Sequence, residues 1–178
     1  MIEQETAALA SLVETMAATG VAPDPEALEK FSRTLAKIFD SDPDEAAILA
    51  VDAKQKTLKF VIPVKLAAVG SIPLSSTSAL AARTARERRA EVVNNFTASR
   101  HATVFEGVPL GRRQGELIQK IISAPILEGT QIRGVVQISR KGQSPAISGP
   151  DFTQKDLRLL VSLSPTLEQF LKLFLVGK

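Results

Sequence analysis

The sequence predicts an α+β fold with a central antiparallel sheet of about five or six strands. Two short apolar runs rich in β-branched residues, Ala124–Leu127 and Val135–Ile138, flank the connector Glu128–Thr130, whose glycine suits a hairpin turn. A second pair of such runs, residues 45–51 and residues 57–62, is joined by a polar connector of hairpin length. Helical patterns lie at both ends of the chain and in its middle. We therefore expect the terminal helices to cover one face of the sheet, and the middle helix and loops to cover the other.

Two helices are predicted before the first strand. Apolar residues recur at helical spacing over residues 2–19, and a glycine ends this pattern. A break with two prolines follows, in which Asp24 can cap a second helix over residues 25–39 that begins with proline. We accordingly divide the chain into a helical extension, residues 1–22, and a main domain, residues 23–178.

The middle of the chain alternates between short elements and loops. A stretch rich in Ala and Arg predicts a helix over residues 75–89, and a short strand is predicted at Glu91–Val93. Residues 96–116 contain several glycines and a proline, and they predict an irregular segment of the kind that often binds ligands or forms a lid. Two further strands are predicted at residues 120–126 and residues 131–139.

The last predicted helix spans residues 153–174. Thr153 can serve as its N-cap, and Asp156 three residues later completes a capping-box-like arrangement. Apolar residues cover more than one face of this helix, which leaves a surplus beyond what the sheet needs. The N-terminal helix of the same chain could cover that surplus, but we expect a homodimer through Leu171, Phe174 and the N-terminal helices. Replacing both Leu171 and Phe174 with Glu is then expected to give a soluble monomer.

Several short motifs occur in the order and spacing of a known family. The segment Ser71–Ser75 resembles the entry to that family's ligand-side helix, and Ala90–Asn95 resembles its strand ending in Asn. Gly134–Ile138 resembles the glycine-hydrophobic strand that precedes its last helix. Together with the closing hairpin and capped helix, these motifs make residues 25–174 resemble the GAF domain family. The resemblance implies a GAF/PAS-like sheet in a stand-alone sensory or regulatory module, which binds a small molecule without catalysis and signals through its terminal helices to a protein partner.

The chain contains no cysteine and a single histidine, His101. Thiol catalysis and cysteine-attached bilins are therefore excluded, and so is the activity of GAF-type reductases of free methionine sulfoxide, which use cysteines. The pattern associated with cyclic-nucleotide-binding members is matched by Phe152 and Asp156, but Leu157 replaces its next acidic residue. No metal site is predicted, because no spacing brings carboxylates to the histidine, and the ligand and any cofactor stay unknown. An enzyme that uses His101 and Glu106 is a further alternative, which a His101→Ala variant with unchanged activity would exclude.

Polar residues that interrupt apolar elements are the candidate ligand contacts. In a GAF-like fold they would come from the start of the middle helix, the end of the following strand, the long loop and the next strand. The N–H groups at a helix N-terminus can hold an anion, although polar side chains at such places also cap helices and satisfy loop backbone. The expected ligand-binding residues are Ser75, Ser76, Asn94, Asn95, His101, Phe105, Gln119 and Ser123.

Basic residues concentrate in the second part of the chain, since residues 57–178 carry a net charge of +9 and residues 1–56 carry −6. A cluster around the end of the middle helix could be a solvated surface, bind an anionic small molecule or contact nucleic acid: Arg83, Arg86, Arg88 and Arg89. The sequence has no Tyr or Trp for base stacking, which disfavours nucleic acid. Because no apolar stretch is long enough for a membrane span and no signal peptide is recognisable, we expect a cytoplasmic protein.

The middle helix also supports an alternative in which no ligand binds. Its small residues could let it sit tightly on the sheet and leave little cavity: Ala79, Ala81, Ala82 and Ala85. The chain would then be a dimerisation or scaffold module.

Overall fold

The computed structural model describes residues 2–96 and 117–174 of the chain. The strands in this part of the chain are β1 (Ala46–Asp52), β2 (Thr57–Ile62), β3 (Ser71–Pro73), β4 (Glu91–Val93), β5 (Leu117–Glu128) and β6 (Gln131–Gly142). The α-helices are α1 (Ile2–Ala18), α2 (Pro25–Ile38), α3 (Leu80–Glu87), α4 (Gln154–Ser162) and α5 (Ser164–Lys172). None of these helices is both long enough and apolar enough to cross a membrane.

The strands form one antiparallel sheet in the order β3-β2-β1-β6-β5-β4, which confirms the predicted fold class. The strands β5 and β6 form a hairpin whose turn contains Gly129, and its φ of 61° is a left-handed conformation that glycine adopts without strain. β1 pairs with the other edge of β6. β3 is an edge strand that was not among the predicted strands, and its buried Ile72 is paired with Leu58 of β2. The three residues of β3 include Pro73, and a proline within so short a run argues against a strand in the sequence.

The sheet separates two apolar layers, as the sequence predicted. On one face, α1, α2, α4 and α5 pack in one core with Ile48, Ile122 and Ile138 of the central strands. On the other face, alanines of α3 pack with Leu49 of β1 and Val135 of β6. The terminal helices and the middle helix therefore lie on opposite sides of the same sheet.

The predicted helix caps at Asp24 and Thr153 are confirmed. Asp24 Oδ1 accepts a hydrogen bond from the Ala27 N–H at 2.8 Å, and proline occupies the start of α2. At α4, Thr153 Oγ1 accepts from the Asp156 N–H at 3.2 Å, and Asp156 Oδ2 accepts from the Thr153 N–H at 2.8 Å. These reciprocal bonds satisfy N–H groups that have no partner within the helix, so both helix starts are fixed locally.

Two predicted helix boundaries are wrong. α3 begins at Leu80, later than predicted, because the serines before it form a turn in which Ser76 Oγ accepts from the Ala79 N–H at 3.1 Å. Residues 153–174 hold two helices rather than one, since Pro165 lacks the N–H that a continuous helix would need at that position. The serine hydroxyls that were expected inside the first turn of the middle helix therefore belong to a turn before it.

Within the described residues, most of the apolar surplus of the last helical segment is covered by the chain itself, although Val161 exposes 46% of its surface. Leu9 of α1 is buried and packs in the same core as Phe170 of α5. Leu171 exposes only 6% of its surface, and its Cδ1 lies against Gly134 of β6. The prediction that Leu171 lies in a dimer interface is therefore wrong for this residue, and a glutamate there would disrupt the core. Phe174 is half-buried at the end of α5.

An ion-pair network ties the tip of the β5–β6 hairpin to α5. The Glu128 carboxylate accepts a hydrogen bond from Arg133 Nε at 3.0 Å and pairs with Lys172 Nζ at 3.0 Å. The hydrogen bond from Arg133, and next to it that from Lys172, lower the pKa of Glu128 from 4.5 to about 2. The folded state therefore favours the ionised carboxylate, and this stabilisation is present above pH 4.5 and is lost as the pH falls toward 2.

Glu128→Gln is expected to lower the Tm at neutral pH, and the effect is expected to shrink as the pH falls from 4.5 to about 2. Thermal unfolding at low salt, followed by circular dichroism across this range, measures the difference between the wild type and the variant. Glu29→Gln is the matched control, because Glu29 forms an exposed ion pair with Arg33 on α2 at 3.8 Å and such pairs contribute little. A Tm difference for Glu128→Gln that stayed constant down to pH 2 would contradict the ion-pair account.

Candidate ligand-binding site

A row of polar side chains lies on the surface of β5 and β6 that faces α3. Side chains alternate between the two faces of a strand, so Gln137, Ser139 and Lys141 share the face of Val135, which packs with α3. Ser123 of β5 is paired with Gln137 across the sheet and lies on the same face. We call Ser123, Gln137, Ser139 and Lys141 the polar row. All four are buried, and burying polar groups is unfavourable unless they are hydrogen-bonded.

A directed chain of hydrogen bonds joins the polar row to α3. The Thr84 hydroxyl donates to the Leu80 carbonyl oxygen at 3.0 Å, one helical turn away. Because a hydroxyl carries one hydrogen, Thr84 Oγ1 must accept in the 2.7 Å bond that it shares with Ser123 Oγ. Ser123 Oγ in turn accepts from Gln137 Nε2 at 3.2 Å. These hydrogen bonds therefore all point in one direction, from β6 through β5 to the backbone of α3. The Nε2 group of the Gln137 amide, and not its Oε1, faces Ser123.

The far end of the polar row is attached to the 3-10 turn that precedes β1. Ser139 Oγ donates to the Glu45 carbonyl oxygen at 3.3 Å, and Lys141 Nζ donates to the Asp44 carbonyl oxygen at 3.0 Å. The buried Glu45 carboxylate accepts from the backbone N–H groups of Lys141 and Asp42 at 2.6 and 2.9 Å. These bonds from main-chain N–H groups offset the cost of burying the carboxylate, and they fix this end of the polar row.

Apolar side chains lie on both sides of the polar row. Leu80 of α3 packs with Phe96, Ile118 and Ile121 beside β5. On the side of β1, buried alanines fill the space between α3 and the sheet. Ligand sites commonly combine such an apolar lining with a few well-positioned polar groups. The row is thus a polar strip between two apolar clusters on the face of the sheet that carries α3.

Two of the predicted site residues, Ser123 and Gln119, lie on β5. Ser123 belongs to the polar row. Gln119 is buried at an irregularity in the β5–β6 pairing, where its Nε2 donates to the Gly142 carbonyl oxygen at 2.8 Å. Both side chains are therefore held inside the fold by hydrogen bonds, and their contact with a ligand stays a prediction.

The two predicted asparagines lie at the end of β4. The Asn94 side chain forms two hydrogen bonds with the backbone of Phe152, one from Nδ2 to the carbonyl oxygen at 3.0 Å and one from the N–H to Oδ1 at 2.9 Å. Asn95 is exposed in the turn that follows. Asn94 therefore links β4 to the start of α4, which gives it a structural role whether or not a ligand binds.

The predicted serines lie in the turn before α3. Ser76 Oγ accepts the hydrogen bond from the Ala79 N–H, and Ser75 is exposed. Among the described residues, neither of these serine side chains forms a hydrogen bond with the polar row. The remaining two predicted residues, His101 and Phe105, lie outside the described residues.

The predicted arginine cluster is largely engaged within the chain. Arg83 Nε pairs with Glu87 at 3.3 Å and with Glu91 at 3.5 Å, and Arg89 pairs with Glu87 at 3.1 Å. Arg86 donates to two backbone carbonyls in the turn before α3. These contacts give three of the arginines a role in fastening both ends of α3.

Sequence reasoning missed four of the residues that build the site. Three of them, Gln137, Ser139 and Lys141, occupy every second position of β6. Their alternation with Val136 and Ile138 was a usable signal, because a polar residue at every second position of a central strand marks one face, but Arg140 interrupts the alternation. Thr84 gave no signal in the sequence, since a single threonine in a helix rich in Ala and Arg can lie on the solvent-exposed face as well as on the buried face.

Thr84→Val is expected to lower the free energy of unfolding by about 1–2 kcal/mol, because the Ser123 hydroxyl loses its acceptor inside the core. Urea denaturation measures this change. Thr34→Val is the matched control: the Thr34 hydroxyl makes the same kind of bond, to the Lys30 carbonyl at 2.9 Å, on a partly exposed face of α2. Equal effects of the two substitutions would contradict the role assigned to the chain of hydrogen bonds.

Two comparisons with known proteins find matches, one to a family model and one to solved structures. The family model for the GAF domain matches residues 25–171. Among solved structures, the GAF domain from Acinetobacter phosphoenolpyruvate-protein phosphotransferase superposes with a TM-score of 0.68 at 15% identity, covering 99% of this chain and 96% of that chain. Free methionine-R-sulfoxide reductase from Neisseria meningitidis superposes with a TM-score of 0.59 at 17% identity, covering 93% and 86%. The A. aeolicus nlh2 GAF domain superposes with a TM-score of 0.58 at 14% identity, covering 98% and 99%.

At these identities the structural similarity concerns the fold alone. The three relatives include an enzyme as well as two GAF domains named without a reaction of their own, so the shared fold does not select one activity. A comparison with curated protein sequences gives no match. The function must therefore be argued from the residues of the polar row.

Proposed function

The chain belongs to the GAF domain family, and on that premise we propose that it is a sensory or regulatory module that binds a small molecule between its sheet and α3. The observation that carries the proposal is the polar row itself. Four buried polar side chains follow one another across β5 and β6, between two clusters of buried apolar side chains. Hydrophobic residues at those positions would stabilise the fold as well or better, so a polar row favours recognition over packing.

We propose further that the module does not catalyse a reaction. One similar structure is a free methionine-R-sulfoxide reductase, and the GAF-type reductases of that class use cysteines, of which this chain has none. The hydroxyls of Ser123 and Thr84 are bonded to each other, to an amide and to a carbonyl oxygen. None of these partners is a base that would activate a hydroxyl as a nucleophile. Hydrogen bonding of a ligand is the chemistry that such groups perform.

The proposed mechanism is a shift between two conformations of the module. A ligand that bonds to Ser123 or Gln137 competes with the bonds that hold α3 to the sheet. The ligand can therefore favour a second conformation in which α3 has another position on the sheet. The equilibrium between the two conformations shifts by the ratio of the ligand's affinities for them. The terminal helices on the opposite face would pass this change to a partner protein.

A second candidate is a scaffold module that binds no ligand and acts by dimerisation. The specific observation in its favour is the close packing of α3, because Ala81, Ala82 and the preceding Ala79 are fully buried. The 2.7 Å contact of Thr84 with Ser123 likewise leaves no room for a ligand atom between these two side chains. In this alternative the homodimer would form through exposed parts of the terminal helices.

Thermal unfolding with defined probes tests the proposal. The probes are amino acids, 2-oxo acids and nucleotides at millimolar concentration, and a ligand of the folded state raises the Tm by mass action. We expect one class to raise the Tm of the wild type and of Gln131→Leu, but not of Gln137→Leu. Gln131 is the matched control because it is an exposed glutamine on the same strand. A Tm rise that Gln137→Leu retains in full would reject the polar row as the site, and no rise with any probe, in a protein that light scattering finds dimeric, would favour the scaffold.

A further inference from the structure

Arg140 joins three separate parts of the fold at the end of β6. Its Nη1 donates to the Asp40 carbonyl oxygen at 3.2 Å and to Ser41 Oγ at 3.1 Å, and its Nη2 donates to the Phe39 carbonyl oxygen at 3.2 Å. These acceptors lie at the C-terminal end of α2, where the carbonyl groups favour a cation. The residue exposes 8% of its surface, so the guanidinium is held inside the protein.

The same guanidinium holds the segment that leads into α4. Its Nε donates to the Pro150 carbonyl oxygen at 2.9 Å, and its carbon lies 4.4 Å from the centre of the Phe152 ring. Lys120, the partner of Arg140 on β5, donates to the Gly149 carbonyl oxygen at 2.6 Å. The guanidinium is a planar fork with several N–H groups in fixed directions, so it can donate to acceptors of two segments at once. The start of α4 is therefore positioned by two buried cations at the end of the sheet.

Arg140 lies between two residues of the polar row. Ser139 and Lys141 point to the face of the sheet that carries α3, whereas Arg140 points to the face that carries the terminal helices. A shift of this stretch of backbone that reorients Ser139 must also move the Arg140 side chain on the other side. This stretch of strand is hydrogen-bonded through side chains on both faces, so it is a physical link between the two layers.

We propose that Arg140 is the positioning residue that couples the polar row to the start of α4. This inference rests on the proposed function, because it names the route by which a ligand on one face would act on the terminal helices. The coupling itself is a property of the protein without ligand. It can therefore be measured, and can fail, independently of whether a ligand is found.

A double-mutant cycle read out by hydrogen exchange tests the coupling in the full chain. Ser139→Ala perturbs the polar row by removing the bond to the Glu45 carbonyl, and Arg140→Lys removes the fork while keeping the charge. The readout is exchange of the backbone N–H groups of residues 151–157, at the start of α4. Arg133→Lys, a half-buried arginine at the other end of the same strand whose ion pair with Glu128 lies far from Arg140 in the sequence of β6, is the matched control. Circular dichroism establishes that each variant is folded.

We expect Ser139→Ala to speed exchange at the start of α4 by about threefold or more in the wild type and in Arg133→Lys. In the Arg140→Lys background, the same substitution is expected to change exchange there by less than about 1.5-fold. An equal effect of Ser139→Ala in both backgrounds, or none in the wild type, would overturn the proposal. If Arg140→Lys does not fold, Phe152→Leu takes its place in the cycle, because it removes the ring beside the guanidinium and leaves the strand unchanged.

Discussion

Gly134→Ala is expected to destabilise the fold by about 3 kcal/mol, which is large for the addition of one methyl group. A Cβ at this position of β6 would overlap the Leu49 carbonyl oxygen of β1 and would lie 2.7 Å from Leu171 Cδ1 of α5. The carbonyl belongs to the neighbouring strand and cannot rotate away. Relief therefore requires the two strands to separate or α5 to lift from the sheet.

Urea denaturation of Gly134→Ala, analysed for the free energy of unfolding, measures this effect. The control is Gly129→Asn in the hairpin turn, because no atom lies within 4 Å of a Cβ there and Asn tolerates a φ of 61°. We expect the control to lose less than about 1 kcal/mol. If Gly134→Ala lowered the free energy of unfolding by no more than the control, β1 and α5 would not approach β6 as closely as these distances indicate.

Phe170→Ala is expected to lower the free energy of unfolding by about 3–5 kcal/mol. Phe170 of α5 stacks on Phe31 of α2 with ring centroids 3.8 Å apart and planes inclined by 8°. Both rings are fully buried, so the substitution would leave a cavity between two helices that the rest of the core cannot easily fill.

Phe174→Ala on the same helix segment is the matched control for this substitution. Its ring meets the edge of Phe170 at 5.2 Å but is half-buried, so we expect a loss of about 1 kcal/mol. Urea denaturation of both variants gives the comparison. Similar losses at the two positions would mean that α2 and α5 are not held together by the stacked pair, and the packing of the terminal helices would need another explanation.

The parts of the fold that the sequence predicted well depend on local chemistry. The capping residues Asp24 and Thr153 act on N–H groups within three residues of themselves, and the β5–β6 hairpin depends on the turn at Gly129. Such features can be read from neighbouring residues alone. The start of α3 was misplaced for a related reason, because a serine-rich segment can either begin a helix or form the turn before it, as Ser76 does here.

The parts that were predicted wrongly or missed depend on residues far apart in the chain. Asn94 is bonded to Phe152, 58 residues away, and no local pattern links the two. The surplus apolar surface around Leu171 could equally have been covered by a second chain or by α1, and counting apolar faces cannot distinguish the two. Thr84 acquires its role only when α3 meets β5 at Ser123, 39 residues later. Tertiary contacts, rather than propensities, decide these positions.

We propose that a small molecule binds at the polar row. Native mass spectrometry of the freshly purified protein tests this binding directly. The wild type, Gln137→Leu and the control Gln131→Leu are each compared with the same sample after denaturation. We expect an extra mass on the wild type and on Gln131→Leu that disappears on denaturation and is absent from Gln137→Leu. An extra mass that Gln137→Leu retains undiminished would contradict the claim, because the molecule would then be bound elsewhere on the protein.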